Sequence, residues 1–356
     1  MLIFDAHLDL SMNALEWNRD LTRPLAEVRR REQGQVDRPD RGLGMVSFPE
    51  MRRGHVGVCI ATLIGRYVPE GRNLPGWHSP EIAWAMTQGQ LAWYRAMEAR
   101  GEITLITTAA QLREVVGRWN SETCEKTPIG YVLSMEGADS ILSPAHLEGA
   151  YRAGLRAIGP AHYGPGRYAP GTGATGPLTA LGRSLLVQME QLGIVLDVTH
   201  LTDEAFWESL DLFGGPIWAS HNNCRALVDA PRQLSDAQLR ALFERDAVVG
   251  VVMDAWMLHS NWVVGHTRPK DVGLTLQRVV DHIDHICQLA GSCRHCGIGS
   301  DLDGGYGGNQ CPMDLASIAD VRKLGELLAE RGFSQADIEA IMHGNWLRLL
   351  NSIWSA

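Results

Sequence analysis

Residues 185–200 read LLVQMEQLGIVLDVTH. Leu185, Met189 and Leu192 recur at helical spacing, and beyond Gly193 the run Ile194–Val198, apolar but for Asp197, delivers Thr199 and His200 at its end. A helix feeding a short, largely apolar strand is the unit of a parallel sheet covered on both faces. The next run, Pro216–Ala219, delivers Ser220 and His221. The unit recurs late in the chain, where Leu276, Val279, Ile283 and Ile286 precede Cys296–Gly299, which delivers Ser300 and Asp301.

Working outward, further strand-like runs lie at Leu2–Asp5, Val56–Ile64, Ile103–Thr107, Ile129–Ser134, Leu155–Pro160 and Ala247–Val252. That is one more than an eight-stranded barrel needs, and Ile103–Thr107 is assigned as accessory because no chemically interesting residue follows it. The expected fold is α/β, a (β/α)8 TIM barrel with an accessory strand and long active-site loops. Arg29–Gly44 and Gly164–Pro177 read as the long loops, and since neither separates compositionally different halves, residues 1–356 are expected to form a single domain.

Composition narrows the function. A chain of 356 residues that is 45% hydrophobic is neither disordered nor collagen-like. With 32 Lys+Arg against 41 Asp+Glu, its charge of −9 opposes broad attraction to nucleic acid or an anionic membrane. Its apolar stretches fall short of the roughly 20 residues that span a bilayer. The opening LIFDAHLDL lacks a basic segment and a small-residue cleavage site. A cytoplasmic protein without nucleic-acid or membrane partners is therefore expected, with homo-oligomerisation left open. Seven scattered cysteines do not suggest a disulfide framework.

The informative pattern is at the strand ends. Strand one runs into Asp5-Ala6-His7-Leu8-Asp9 and Ile129–Ser134 into Met135-Glu136-Gly137; His200, His221 and Asp301 follow three other strands. In a (β/α)8 barrel these ends converge on one face. His7 and Asp9, two apart on a strand, point to the same side. Three imidazoles and three carboxylates there suit a two-metal site for zinc or a similar ion. Singly, each element is ordinary: His-x-Asp arises by chance, Glu136 could cap a helix, and a lone histidine could be a satisfied core residue. Five strand ends together argue for ligands, because polar groups left unpaired there carry a cost.

The segments DAHLDL, SMEGAD, LRAIGPAH, LDVTHLTDEAF, IWASHNNCRALVDAPRQLSD, VVDHIDHI, GIGSDLDGG and HGNWLRLL, in this order, span essentially the whole chain. The sequence thereby resembles the membrane or renal dipeptidases, peptidase family M19 of the amidohydrolase superfamily. The resemblance implies a binuclear zinc dipeptidase acting on dipeptides with a free C-terminal carboxylate and tolerating a D-residue at that position. It implies two Zn2+ per chain, one on His7, Asp9 and Glu136, the other on Glu136, His200 and His221, with Glu136 as the bridge. Asp301 would be the proton-handling carboxylate beside the first zinc, His162 the contact to the substrate carbonyl, and Arg232 the holder of the C-terminal carboxylate. A hydroxide between the ions, nucleophilic because metal binding lowers the pKa of water to about 7, would attack the carbonyl. Asp301 would pass its proton to the leaving amine while zinc and His162 stabilise the oxyanion.

Two departures bear on the pocket: Leu8 stands where the family commonly has Asn, and the second strand reads CIATLIG without the usual aromatic ending. Rival readings are another amidohydrolase reaction, such as N-acyl amino acid deacylation or hydrolysis of a lactone or β-lactam, and a catalytically inactive ligand-binding protein. Gly171–Gly176, GTGATG, fits G-x-G-x-x-G with Asp197 about twenty residues on, yet it does not directly follow a strand, so no nucleotide site is assigned. Asp197 is instead expected to support the ligand His200. Cys293-Arg-His-Cys296 lacks a second Cys-x-x-Cys and reads as loop and core cysteines. His282 and His285 are assigned to the polar or flanking face of their helix.

Overall fold

The computed structural model describes residues 1–121 and 124–355. Each of the nine runs becomes a strand: β1 Ile3–Leu8, β2 Val56–Ile64, β3 Ile103–Leu105, β4 Ile129–Glu136, β5 Leu155–Gly159, β6 Val195–Asp197, β7 Ile217–Trp218, β8 Val249–Val251 and β9 Cys296–Ile298. They pair in parallel in the order β7-β6-β5-β4-β2-β1-β9-β8, with β3 on β4. The bridge between Ala219 and Val249 brings β7 to β8 and nearly closes an eight-stranded barrel. Helices alternate with the strands around it.

β3 is accessory for a geometric reason. Ile129–Tyr131 of β4 pairs with β3, whereas Leu133–Glu136 pairs with β5 on the same edge. The half taken by β3 is remote from Glu136, so a residue following β3 does not reach the barrel mouth.

The helix–glycine–strand unit has a simple local cause. Helix Ala180–Leu192 buries Leu185, Leu186 and Met189 and ends at Gly193, whose φ of 67° lies in the left-handed region that glycine enters without steric cost. Helix Gln277–Ala290 buries Val279, Val280, Ile283 and Ile286 and ends at Gly291 in the same way. His282 departs from its assignment to a polar face. It is buried, and its Nδ1 accepts from the backbone N–H of Cys224 at 3.1 Å. His285 does lie at the flank, paired with Asp236 at 2.8 Å.

The first long loop is more ordered than its composition suggests. Helix Leu25–Arg31 enters it, and buried Arg19 pairs with Glu32 at 2.8 Å and Asp40 at 2.9 Å. These ion pairs replace the apolar side chains the segment lacks. No helix among the described residues is long and apolar enough to cross a membrane.

Candidate metal centre

Asp9 occupies the N-cap position of helix Leu10–Glu16 but makes no capping bond. Its carboxylate instead accepts from the Thr62 hydroxyl of β2 and faces the barrel axis. His7 Nε2 lies 3.7 Å from Asp9 Oδ1, 3.6 Å from Glu136 Oε1 and 3.8 Å from Asp301 Oδ1. It is buried and has no hydrogen-bond partner. From the other side, His200 Nε2 and His221 Nε2 stand 3.1 and 3.4 Å from Glu136 Oε1 and 3.2 Å from each other. All six expected ligands thus converge at the mouth of the barrel, with Glu136 at their centre.

Ligand atoms about 2.0–2.2 Å from a tetrahedral cation are roughly 3.3–3.6 Å apart, which falls within the 3.1–3.8 Å spread of these donor atoms. The groups Glu136 with His162 and His200, His7 with Asp9 and Glu136, and His7 with His221 and Asp301 each bring their donor atoms within 4.8 Å. Among the described residues, no cysteine belongs to such a group, and Cys293 and Cys296 are loop and core thiols.

The electrostatics show why this cluster calls for cations. Burial drives the Asp301 carboxyl well above the ordinary range, and burial together with Glu136 pushes Asp9 up to about 7. Burial lowers His200, aided by nearby Arg232, to about 3. Burial would also lower His7, but Glu136, Asp9 and Asp301 carry it up to about 10. Neighbours frustrated in opposite directions are relieved together by divalent cations.

The second nitrogens of His200 and His221 are held as well. Thr172 Oγ1 lies 2.8 Å from His200 Nδ1, and Ser220 Oγ lies 2.9 Å from His221 Nδ1. Thr172 belongs to the glycine-rich segment, whose purpose is therefore mechanical. The Thr172 N–H donates to His162 O at 2.8 Å, and a Cβ on Gly171 would come within 1.8 Å of that oxygen. Only glycine permits this approach. His200 and Asp301 themselves adopt left-handed backbone, at φ 70° and 58°, a strain that commonly marks functional positions.

His162 stands beside the cluster, its Nε2 3.8 Å from Glu136 Oε1. Arg232 is buried. Its Nη2 donates to His221 O at 3.0 Å, while Nη1 has no partner, and no carboxylate of the described residues pairs with it within 4 Å. Both residues line a cavity of about 790 Å³ that also exposes Asp9, Glu136, His200 and Asp301. Apolar walls come from Met12, Trp17, Trp77 and Trp256. Three of the eleven tryptophans thus line the cavity.

Sequence reading placed Asp197 in support of His200 but missed how it acts, and it missed Asp5 and Arg66. Asp197 acts on the backbone, not on the ring of His200: its Oδ1 accepts from Thr199 N and Ser220 N, both at 3.1 Å. Asp5 does the same for β1 and β9, accepting from His7 N at 3.2 Å and Ser300 N at 2.8 Å. The signal was present, since Asp5, His7 and Asp9 share one side of the strand. Arg66, two residues beyond β2, also enters the site, although β2 carries no polar residue at its end.

Comparisons with known proteins agree with this geometry. Residues 1–355 match the family described as membrane dipeptidase, peptidase family M19. An uncharacterized protein of the pqqA 5' region of Klebsiella pneumoniae is 33% identical over 257 residues, covering 69% of this chain and 91% of the relative. An uncharacterized dipeptidase of Schizosaccharomyces pombe is 31% identical over 327 residues, covering 86% and 72%. Among solved structures, dipeptidase AC, a metallo peptidase of family M19, superposes with a TM-score of 0.81 at 24% identity over 100% of this chain and 99% of its own. A metallo peptidase from Rhodobacter sphaeroides, liganded with a phosphinate mimic of the dipeptide L-Ala-D-Ala, gives 0.77 at 23% identity over 99% of each chain. With the barrel, the ligand cluster and the family match over nearly its whole length, this chain belongs to the membrane dipeptidase family, peptidase family M19, and is a metal-dependent peptide hydrolase.

Proposed function

We propose that the protein hydrolyses dipeptides with a free C-terminal carboxylate at a centre holding two zinc ions, and that it accepts a D-residue at the C-terminal position. The observation that carries this reading is Arg232, a buried cation that lines the cavity holding the ligand cluster and whose Nη1 has no hydrogen-bond partner. A buried charge without a counter-ion is costly, and a substrate carboxylate offsets that cost. The R. sphaeroides neighbour, bound to its L-Ala-D-Ala mimic, supports the same substrate class.

His7, Asp9 and Glu136 would hold one ion and Glu136, His200 and His221 the other. Bound zinc supplies Lewis acidity and lowers the pKa of water. The rest falls to the chain. Arg232 fixes the carboxylate with its planar fork, His162 donates to the carbonyl oxygen, and Asp301 takes up and returns the proton. Turnover of L,L- and L,D-dipeptides by the zinc-loaded protein, set against N-acyl amino acids, tests the reading. Preferred turnover of the acyl amino acids would replace it with a deacylase, and binding of no more than one zinc per chain would sink the two-metal centre.

A further inference from the structure

By distance alone His162 could be a metal ligand, since it shares a donor group with Glu136 and His200. What decides its role lies on the far side of its ring. Arg66 Nη2 is 2.5 Å from His162 Nδ1. A guanidinium offers only N–H donors, so Nδ1 must accept, and the single proton of the imidazole must sit on Nε2. That nitrogen faces Glu136 and the cavity. A nitrogen that bears a proton can donate a hydrogen bond, whereas a metal ligand has to be free of it.

We propose that Arg66 is a positioning residue that locks His162 as the Nε2–H tautomer, making it a hydrogen-bond donor to the substrate carbonyl and removing it from the metal ligands. The guanidinium is itself anchored. Its Nη1 donates to Pro75 O at 2.7 Å, and its Cζ sits 5.6 Å from the centre of the Tyr163 ring. The Arg66 carbonyl accepts from Trp77 N at 2.8 Å, which secures the segment following β2. The Thr172 N–H holds the backbone of His162. Backbone and ring are thus fixed from opposite sides, and only the Arg66 contact selects the tautomer. The segment just beyond β2 contributes this arginine.

The role of the donor rests on the dipeptidase reading, but the tautomer does not, and the test separates them. In zinc-loaded protein labelled with 15N-histidine, with His162 assigned by comparison with His162→Gln, the ring is expected as Nε2–H. An Nδ1–H tautomer or an imidazolium would overturn the proposal. In dipeptide hydrolysis, Arg66→Ala is expected to lower kcat about 100-fold, the scale of losing one oxyanion donor. KM should stay within about threefold, added guanidinium should restore part of kcat, and Arg66→Ala should cost nothing further in a His162→Ala background. Near-native kcat in Arg66→Ala, or additive losses in the double variant, would reject it. If native protein turns over no dipeptide while the Nε2–H signal is present, the substrate reading fails and the tautomer lock stands.

Discussion

The Asp5 carboxylate accepts from both the backbone N–H and the hydroxyl of Ser300, at 2.8 and 2.5 Å, and so ties the start of His7-x-Asp9 to the residue preceding Asp301. Asp197 accepts from the backbone N–H of Ser220, the residue preceding His221. In each case a buried carboxylate on one strand pins the chain beyond the neighbouring strand just before its candidate ligand. The barrel mouth is therefore held by backbone bonds as well as by side-chain packing.

Removing this clamp has a defined cost. Asp5→Ala leaves the buried N–H groups of His7 and Ser300 without their acceptor and is expected to lower stability by about 3 kcal/mol. Asp5→Asn keeps Oδ1 for both amides, and the Ser300 hydroxyl can rotate to accept from the new NH2, so the loss should be near 1 kcal/mol. Urea unfolding of the two variants checks the ranking, and equal losses would contradict it.

Arg232 is expected to act on binding. Arg232→Ala should raise KM for dipeptides by about 10–100-fold, the value of a charged hydrogen-bonded contact, with kcat changed much less. A dipeptide amidated at its C-terminus should be hydrolysed equally poorly by wild type and variant. An unchanged KM for free dipeptides would count against the assigned role.

Thr172 tests the glycine-rich segment. Thr172→Val preserves shape but removes the oxygen 2.8 Å from His200 Nδ1. Loss of such an outer partner is expected to weaken zinc binding by about 10–100-fold, read by titration against a competing chelator. Unaltered affinity would show that His200 is oriented by packing alone.

His282 sets a pH dependence away from the metal centre. Burial holds its imidazole down at about 3, below its ordinary 6.5, while Nδ1 accepts from Cys224 N. The unfolded chain takes up a proton near 6.5 and the folded one does not, so stability present above pH 6.5 is lost as pH falls towards 3. His282→Gln, which can still accept from Cys224 N, should flatten this part of the profile. Parallel profiles of unfolding free energy between pH 7 and 4 in the two proteins would refute the assignment.

The legible parts of the molecule were those written in local pattern. Helical spacing before Ile194 and Cys296 and apolar runs of strand length are 3.6-residue and two-residue patterns visible in a short window, and the His or carboxylate residues at five strand ends are read directly after those runs. His282 was misplaced for the same reason. Helical spacing identifies the apolar stripe but cannot show that a backbone N–H from another segment will meet a histidine and allow it to be buried.

The sequence by itself determined that strands and helices alternate, which strand is accessory, and which six side chains are presented at the strand ends. Tertiary structure alone decided what surrounds them. Thr172 reaches His200, Arg66 reaches His162, and Asp5 and Asp197 reach Ser300 and Ser220 across 28, 96, 295 and 23 residues of chain. Such contacts follow from barrel closure and loop return. They leave no periodic trace in the sequence, because a hydrogen bond constrains where two atoms lie and places no condition on the residues between them.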